Sequence, residues 1–311
     1  MNGIQIMGTG AAVPSRIMTN FDWAKIVDTN DEWIQSRSGI AQRYFCENES
    51  NTDLAIQAAK QALERSEVDK EDIGLVIVAT FTPDCATPSM ACLVHEALGL
   101  PQHAVAFDLN AACSGFLYAM NTAGAILAQG GKPYALVVGS EKISGKINWQ
   151  DRSSCILFGD GAGAAVIRLN LEEQFVGKWG SVGNKEALYC PYEGEEAYLH
   201  MDGQLIFKQA VRMMTEYATE TLAAADLKLE DLRYVVCHQA NKRIIQSVMR
   251  HLDGKEEQFY MNIQKYGNTS AASIPIALNE LWEEKKVAHG EKILCVSFGA
   301  GFTFSAMLIT F

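Results

Sequence analysis

Three short patterns occur twice in this chain, in the same order. Leu75-Val76-Ile77-Val78 is followed by Phe107-Asp108-Leu109-Asn110, then by Phe158-Gly159-Asp160-Gly161 running into Ala164-Ala165-Val166-Ile167. Later, Tyr234-Val235-Val236 is followed by Phe259-Tyr260-Met261-Asn262, then by Phe298-Gly299-Ala300-Gly301 running into Ala306-Met307-Leu308-Ile309. Each match alone is weak. Their shared order, at offsets of about 140 to 160 residues, points to a duplicated unit. The sequence therefore predicts two similar halves, residues 1–170 and 171–311.

Within each half, short β-branched apolar runs alternate with segments of helical period, an α/β pattern with buried sheets. Leu54, Ala55, Ala58, Ala59, Ala62 and Leu63 form one helical face, for which Thr52 is the expected cap. Thr87-Pro88 is expected to open another helix and Gly99 to close it. Nearly half of the 311 residues are apolar, as in soluble enzymes. A net charge of -11 argues against a nucleic-acid binder. No apolar run is long enough to span a membrane, and the N-terminal residues lack the basic start of a secretory signal. Eight scattered cysteines without a C-x-x-C pair indicate neither a metal site nor a disulfide framework, so a reduced, cytoplasmic protein is expected.

Cys113 stands where a strand gives way to a helix, among small residues. Unpaired amides and the helix dipole there favour a thiolate and can hold an oxyanion. An arbitrary cysteine is more often a buried structural thiol, the reading given to Cys92, Cys155, Cys237 and Cys295 in their apolar runs. His238 directly follows a buried strand, where α/β folds place their sites; a hydrogen-bonded structural histidine is the alternative. Asn268 lies in a turn feeding a helix, where capping explains most Asn-Thr-Ser runs. The echo adds that Asn268 follows Phe259–Asn262 much as Cys113 follows Phe107–Asn110, which would set the two across a pseudo-twofold axis. Gly159-Asp160-Gly161-Ala162-Gly163 imitates a phosphate loop, but a strand-like run follows it and no Lys-Ser/Thr completes it.

Ala112-Cys113-Ser114-Gly115-Phe116, Asp28-Thr29-Asn30-Asp31-Glu32-Trp33-Ile34, Phe158–Gly163, His238-Gln239-Ala240-Asn241 and Gly267–Ser273 together resemble the thiolase-fold condensing enzymes. Among these, the chain resembles β-ketoacyl-acyl carrier protein synthase III from end to end. The resemblance implies a duplicated, five-layered αβαβα fold, a homodimer, and no cofactor or metal. It implies initiation of type II fatty-acid synthesis from acyl-CoA and malonyl-acyl carrier protein. It makes Cys113, His238 and Asn268 catalytic, gives the oxyanion hole to the amides of Cys113 and Ala300, and assigns Phe298 to the decarboxylation pocket. It places CoA against Trp33, Arg37 and Arg152, and the acyl chain against Thr87. An acidic carrier protein would dock on Lys208, Arg212, Lys242, Arg243 and Arg250, a local positive patch despite the negative total.

The chain departs from the family in three places. Gly299-Ala300-Gly301 replaces three glycines, so a left-handed backbone at Ala300 would be strained. Phe304-Ser305 replaces Trp-Gly, and the stretch around Ser181–Lys185 is shorter. The alternatives are a condensing enzyme of secondary metabolism with another primer or acceptor, and a non-catalytic acyl-CoA-binding relative. The small Thr87 points to primers longer or more branched than acetyl.

Overall fold

The architecture is described from a computed structural model, over residues 2–194 and 197–311. The first part runs β1 (Asn2–Ala12), β2 (Arg16–Thr19), α1 (Asn20–Trp23), α2 (Asp31–Ser38), β3 (Gln42–Phe45), α3 (Asn51–Ser66), β4 (Ile73–Ala79), α4 (Met90–Leu98), β5 (Val105–Leu109), α5 (Gly115–Leu127), β6 (Tyr134–Glu141) and β7 (Gly161–Gln174). The second runs β8 (Gly177–Asn184), β9 (Leu188–Tyr189), β10 (His200–Met201), α6 (Gly203–Ala225), β11 (Tyr234–Cys237), α7 (Lys242–His251), β12 (Phe259–Tyr260), α8 (Ile263–Tyr266), α9 (Ser273–Glu283), β13 (Lys292–Gly299) and β14 (Gly301–Thr310).

Ten strands form two sets with one topology. The orders are β5-β4-β6-β7-β1 and β12-β11-β13-β14-β8. In each set the first three strands are parallel and the last two antiparallel. A parallel pairing of Gln5 with Thr310 joins the sets through β1 and β14. The position 170/171 expected to divide the halves falls inside β7.

Period-two alternation explains the layering. Leu75 and Ile77 of β4 point inward onto Phe116, Leu117 and Met120 of α5, whereas Val76 and Val78 point outward onto α3 and α4. In the other sheet Ile293 and Cys295 of β13 face the same inner layer, which includes Ile274 and Leu278 of α9; Leu294 and Val296 face α6 and α7. The result is α3/α4, sheet, α5/α9, sheet, α6/α7, the five-layered thiolase fold expected from the resemblance.

Both helix starts differ from expectation. Ser50, not Thr52, caps α3 in a reciprocal box with Asp53. The Thr52 hydroxyl is instead held by Asp84, whose carboxylate also takes the amides of Asn51 and Thr52. Ser89 caps α4, and Thr87-Pro88 precede the helix. The reason is Asp108, which accepts from the amides of Met90 and Ala91 at 2.8 Å and fixes the first turn there. Gly99 closes α4 in a left-handed conformation, as expected. Cys92, expected to be buried, lies exposed on α4.

The inner layers meet backbone to backbone at Gly139 of β6, where an added Cβ would lie 2.3 Å from the Ala271 carbonyl oxygen. Gly139→Ala is expected to destabilise the fold by about 1–3 kcal/mol, because the carbonyl cannot rotate away as a side chain would. Calorimetric unfolding should show a lowered midpoint; an unchanged midpoint would mean that the layers slide without cost.

Candidate active site

Chain reversal at the C-terminal end of β5 delivers Cys113. Ala112 takes a left-handed φ of 47°, and the Asn110 side chain accepts the Ala112 amide at 3.1 Å. Residues Ala112–Ser114 form a short 3-10 turn, and α5 begins only at Gly115. The end of β13 packs on this turn: a Cβ on Gly299 would lie 2.8 Å from the Cys113 nitrogen. Glycine is required there by space. Thr303 ties the two segments, its hydroxyl donating to Ala111 O at 2.9 Å, while the Ser114 hydroxyl donates to Thr303 O.

His238 follows β11, its amide bonded to Val296 O at 2.7 Å and its ring almost wholly buried. Ring Nδ1 lies 2.6 Å from Ser273 Oγ, which also accepts from the Gln239 amide. When the Ser273 hydroxyl donates to Nδ1, the neutral ring carries its own hydrogen on Nε2. Asn268 is pinned by backbone pairing with Phe158, through Asn268 N to Leu157 O and Gly159 N to Asn268 O. Its Oδ1 accepts the Ser270 amide at 2.9 Å, which leaves the side-chain NH2 as donor.

Cys113, His238, Asn268, Phe298 and Ala300 line one cavity of about 980 Å³. Much of the remaining wall is apolar, with Phe81, Ile156, Leu188, Leu199, Met201 and Phe207. Burial pushes the Cys113 thiol up to about 12, against a hydrogen bond from Ser270 and reinforced by the nearby Glu141 carboxyl. The helix-terminal thiolate expected from sequence is thus outweighed by desolvation before substrate enters. Burial lowers His238 to about 3 and keeps it neutral. The Gly159–Gly163 run opens the strand β7, as its sequence context indicates.

Trp33 and Arg37 also line the cavity. Arg152 lies outside that lining, with its guanidinium 4.9 Å from the Trp33 ring centre and bonded to Asp28 O at 2.7 Å. Thr87 is exposed and does not reach the cavity within this chain. Lys208 and Arg212 on α6, and Lys242, Arg243 and Arg250 on α7, are all exposed on two helices that share one hydrophobic cluster; Arg212 pairs with Glu216 at 3.5 Å. Ala300 is not left-handed; Gly301 takes the positive φ, so the strain expected at Ala300 is absent. Phe304 sits in the core against Tyr217, ring centres 4.8 Å apart. Among the described residues no cluster of three His, Cys, Asp or Glu side chains is placed to hold a metal ion.

Sequence reasoning missed Glu141, Ser270 and Ser273, which touch or orient the site residues from behind. A carboxylate ending an otherwise apolar buried strand was the one available signal.

Residues 107–181 match the family described as 3-oxoacyl-[acyl-carrier-protein (ACP)] synthase III, and residues 222–311 match its C-terminal part. A beta-ketoacyl-[acyl-carrier-protein] synthase III of Clostridium acetobutylicum is 44% identical over 99% of both chains. The crystal structure of the Aquifex aeolicus 3-oxoacyl-[acyl-carrier-protein] synthase III superposes with a TM-score of 0.94 at 44% identity, covering 99% of this chain and 100% of that one. The priming β-ketosynthase of the R1128 polyketide pathway superposes at 0.93 with 33% identity, over 99% of this chain and 97% of its own. The chain belongs to the 3-oxoacyl-[acyl-carrier-protein] synthase III family of thiolase-fold condensing enzymes.

The neutral histidine has a thermodynamic signature. An unfolded histidine titrates near 6.5, the folded one near 3, so the unfolded chain binds more protons between these values. His238 therefore contributes to stability that is present above about pH 6.5 and lost as pH falls toward 3, by about 1.4 kcal/mol per unit. NMR of the ring nitrogens should show a neutral Nε2–H tautomer still present at pH 5; a ring that protonates near pH 6.5 would contradict the burial argument.

Proposed function

We propose that this enzyme condenses an acyl-CoA primer with malonyl-acyl carrier protein, the initiating step of fatty-acid biosynthesis, in two steps through Cys113. The observation that carries the reading is the convergence of Cys113, the His238 ring with Nε2–H available, and the Asn268 amide on one largely apolar cavity. In the first step the Cys113 sulfur attacks the acyl-CoA thioester. The carbonyl oxygen becomes an oxyanion facing the amides of Cys113 and Ala300, the carbon–sulfur bond to CoA breaks, and CoA departs as the thiol, carrying away the proton that Cys113 loses.

In the second step His238 Nε2–H and the Asn268 NH2 hold the malonyl thioester oxygen. The malonyl carboxylate leaves as CO2, and its bonding electrons become an enolate stabilised by those two donors. Phe298 keeps water from the departing carboxylate. The enolate carbon then attacks the acyl-cysteine, the new carbon–carbon bond forms, and Cys113 is expelled as thiolate. All charge development is matched by hydrogen-bond donors of this chain, so neither a metal nor a cofactor enters the scheme.

CoA entry is assigned to Trp33, Arg37 and Arg152, with Arg152 swinging off the indole to admit a base. Docking of the acidic carrier protein is assigned to Lys208, Arg212, Lys242, Arg243 and Arg250. A homodimer is supported by β5, an edge strand whose Val105 is 55% exposed. The loop carrying Thr87 lies beside β5, and only across such an interface would Thr87 face an acyl chain. The halves 1–170 and 171–311 are assigned as repeats because their strand orders coincide. No helix among the described residues is long and apolar enough to cross a membrane, and a cytoplasmic location is part of this reading.

Two measurements test the chemistry. Incubation with a panel of acyl-CoAs should add the acyl mass to Cys113 in intact-protein spectra, and Cys113→Ser should abolish the adduct; an adduct persisting in that variant removes the nucleophile assignment. His238→Ala and Asn268→Ala should still load primer but lose about 10²–10³ in malonyl decarboxylation. Normal CO2 release would end their assigned role. For docking, Arg243→Glu with Arg250→Glu should weaken carrier-protein use and spare loading from CoA, whereas equal loss of both would refute the patch.

A further inference from the structure

One cation lies in the core without a counter-charge. Arg43, on β3, has no accessible surface. Among the described residues its acceptors are all neutral oxygens. One terminal nitrogen donates to Met18 O at 3.3 Å and to Asn20 Oδ1 at 2.8 Å, and the other donates to Ile156 O. Its Nε–H has no acceptor. Burying a guanidinium in this way is expensive, and an apolar side chain of similar size would avoid the cost. What the arginine supplies instead is a rigid planar fork, whose charge-assisted bonds hold separate segments in one geometry.

One arm of the fork is anchored. Asn20, which accepts from it, is itself fully buried and donates to Asp31 Oδ1 at 2.9 Å and to Ile40 O at 2.7 Å. The other arm holds Ile156 O, and the residues just beyond carry the Asn268 turn. Leu157 O accepts the Asn268 amide at 2.9 Å, and the Gly159 amide donates to Asn268 O at 3.0 Å. The arginine stem closes the same pairing from the side. A Cβ on Gly159 would lie 3.1 Å from Arg43 Cβ, and a Cβ on Gly267 would lie 3.3 Å from it. The Asn268 backbone is thus hung on a segment that Arg43 bonds at Ile156 and packs at Gly159. A separate set of contacts, from Asn110, Thr303 and Gly299, holds the Cys113 turn.

We propose that Arg43 is a positioning residue for Asn268: by fixing the 156–159 segment it sets where the Asn268 NH2 stands against the malonyl thioester oxygen. Arg43 does not line the cavity, so it acts only through the backbone on which Asn268 is hung. No proton or bond is exchanged by Arg43 itself. This role rests on the assignment of Asn268 to malonyl decarboxylation and adds the residue that sets its geometry.

The two half-reactions separate this role from plain core stabilisation. His238 takes its place from β13 and Ser273, and Cys113 from its own turn, so only Asn268 depends on the 156–159 segment. A donor displaced by about 1 Å costs up to about 10²-fold in rate. Loss of the fork should therefore slow malonyl decarboxylation and leave acyl transfer to Cys113 near its normal rate. An arginine that only stabilises the core would lower both alike.

The test uses Arg43→Lys, which keeps the charge but replaces the planar fork by a point donor, and Arg43→Gln, which keeps a planar donor without the charge. Acylation of Cys113 by acyl-CoA is followed by intact mass, and CO2 release from malonyl-acyl carrier protein is measured on the same samples. Both rates are expressed per acylatable Cys113, so that misfolded protein does not count. Acylation should stay within about twofold of the parent while CO2 release falls about tenfold. Adding either substitution to Asn268→Ala should cost nothing further, because losses that act through one group do not add. Unchanged CO2 release, equal falls in both rates, or a loss that persists on the Asn268→Ala background overturns the proposal. Failure of both variants to give acylatable protein overturns it too, since the half-reactions then fail together. Asn268→Ala alone distinguishes the two readings. Normal CO2 release from it rejects the Asn268 assignment and the Arg43 role with it; lost release there, with equal falls in the Arg43 variants, rejects the Arg43 role alone.

Discussion

The whole arrangement depends on how closely two sheets approach through the helices α5 and α9. Leu75 and Ile77 from one side, and Ile293 and Cys295 from the other, bury the same pair of helices. The approach is limited by backbone rather than by side chains at Gly139, where an added Cβ would meet the Ala271 carbonyl. That contact fixes the distance between the turn carrying Cys113 and the turn carrying Asn268 and Ser270. Both turns contain a non-glycine residue with positive φ, Ala112 and Ser270. Such backbones persist only where surrounding packing over-determines them.

Once the turns are fixed, the site's electrostatics follow from exclusion of water. Three ionisable groups, Cys113, Glu141 and His238, are each driven toward their uncharged form by burial. The end of the cavity around Cys113 and His238 therefore holds almost no charge at rest, and what it offers instead is oriented dipoles: the imidazole N–H, the Asn268 NH2 and the amides at the Cys113 turn. In a low-dielectric site these act strongly on charge that develops during reaction.

Much of this was legible in the residues. Repeated patterns gave the doubled topology, since period-two apolar runs such as Leu75–Val78 have one way to be buried on both faces. Cys113 was marked by its position at a strand–helix junction, and His238 by following a buried strand. Neither gained its partners from sequence, because Ser273 and Ser270 look like ordinary turn residues until the fold brings them to the ring and the thiol. The cap of α4 was misplaced because Asp108, on a neighbouring strand, decides where the helix starts. Ala300 was read as strained because the backbone φ of a loop is not written in composition; the left-handed angle falls one residue later. Glu141 was passed over because a charged residue at a strand's end normally reaches solvent.

The stacking of Arg152 on Trp33 bears on turnover. At 4.9 Å from guanidinium to ring centre there is no gap for a planar base between the two. On the proposed assignment of this pair to CoA, an arriving base must first displace a cation that the chain itself supplies, at an effective concentration no free ligand matches. On that assignment the same cation would return to the indole after acyl transfer and compete with CoA for one aromatic face. That competition would lower affinity for the incoming donor and hasten the departure of free CoA, so that the pair would serve exchange more than retention.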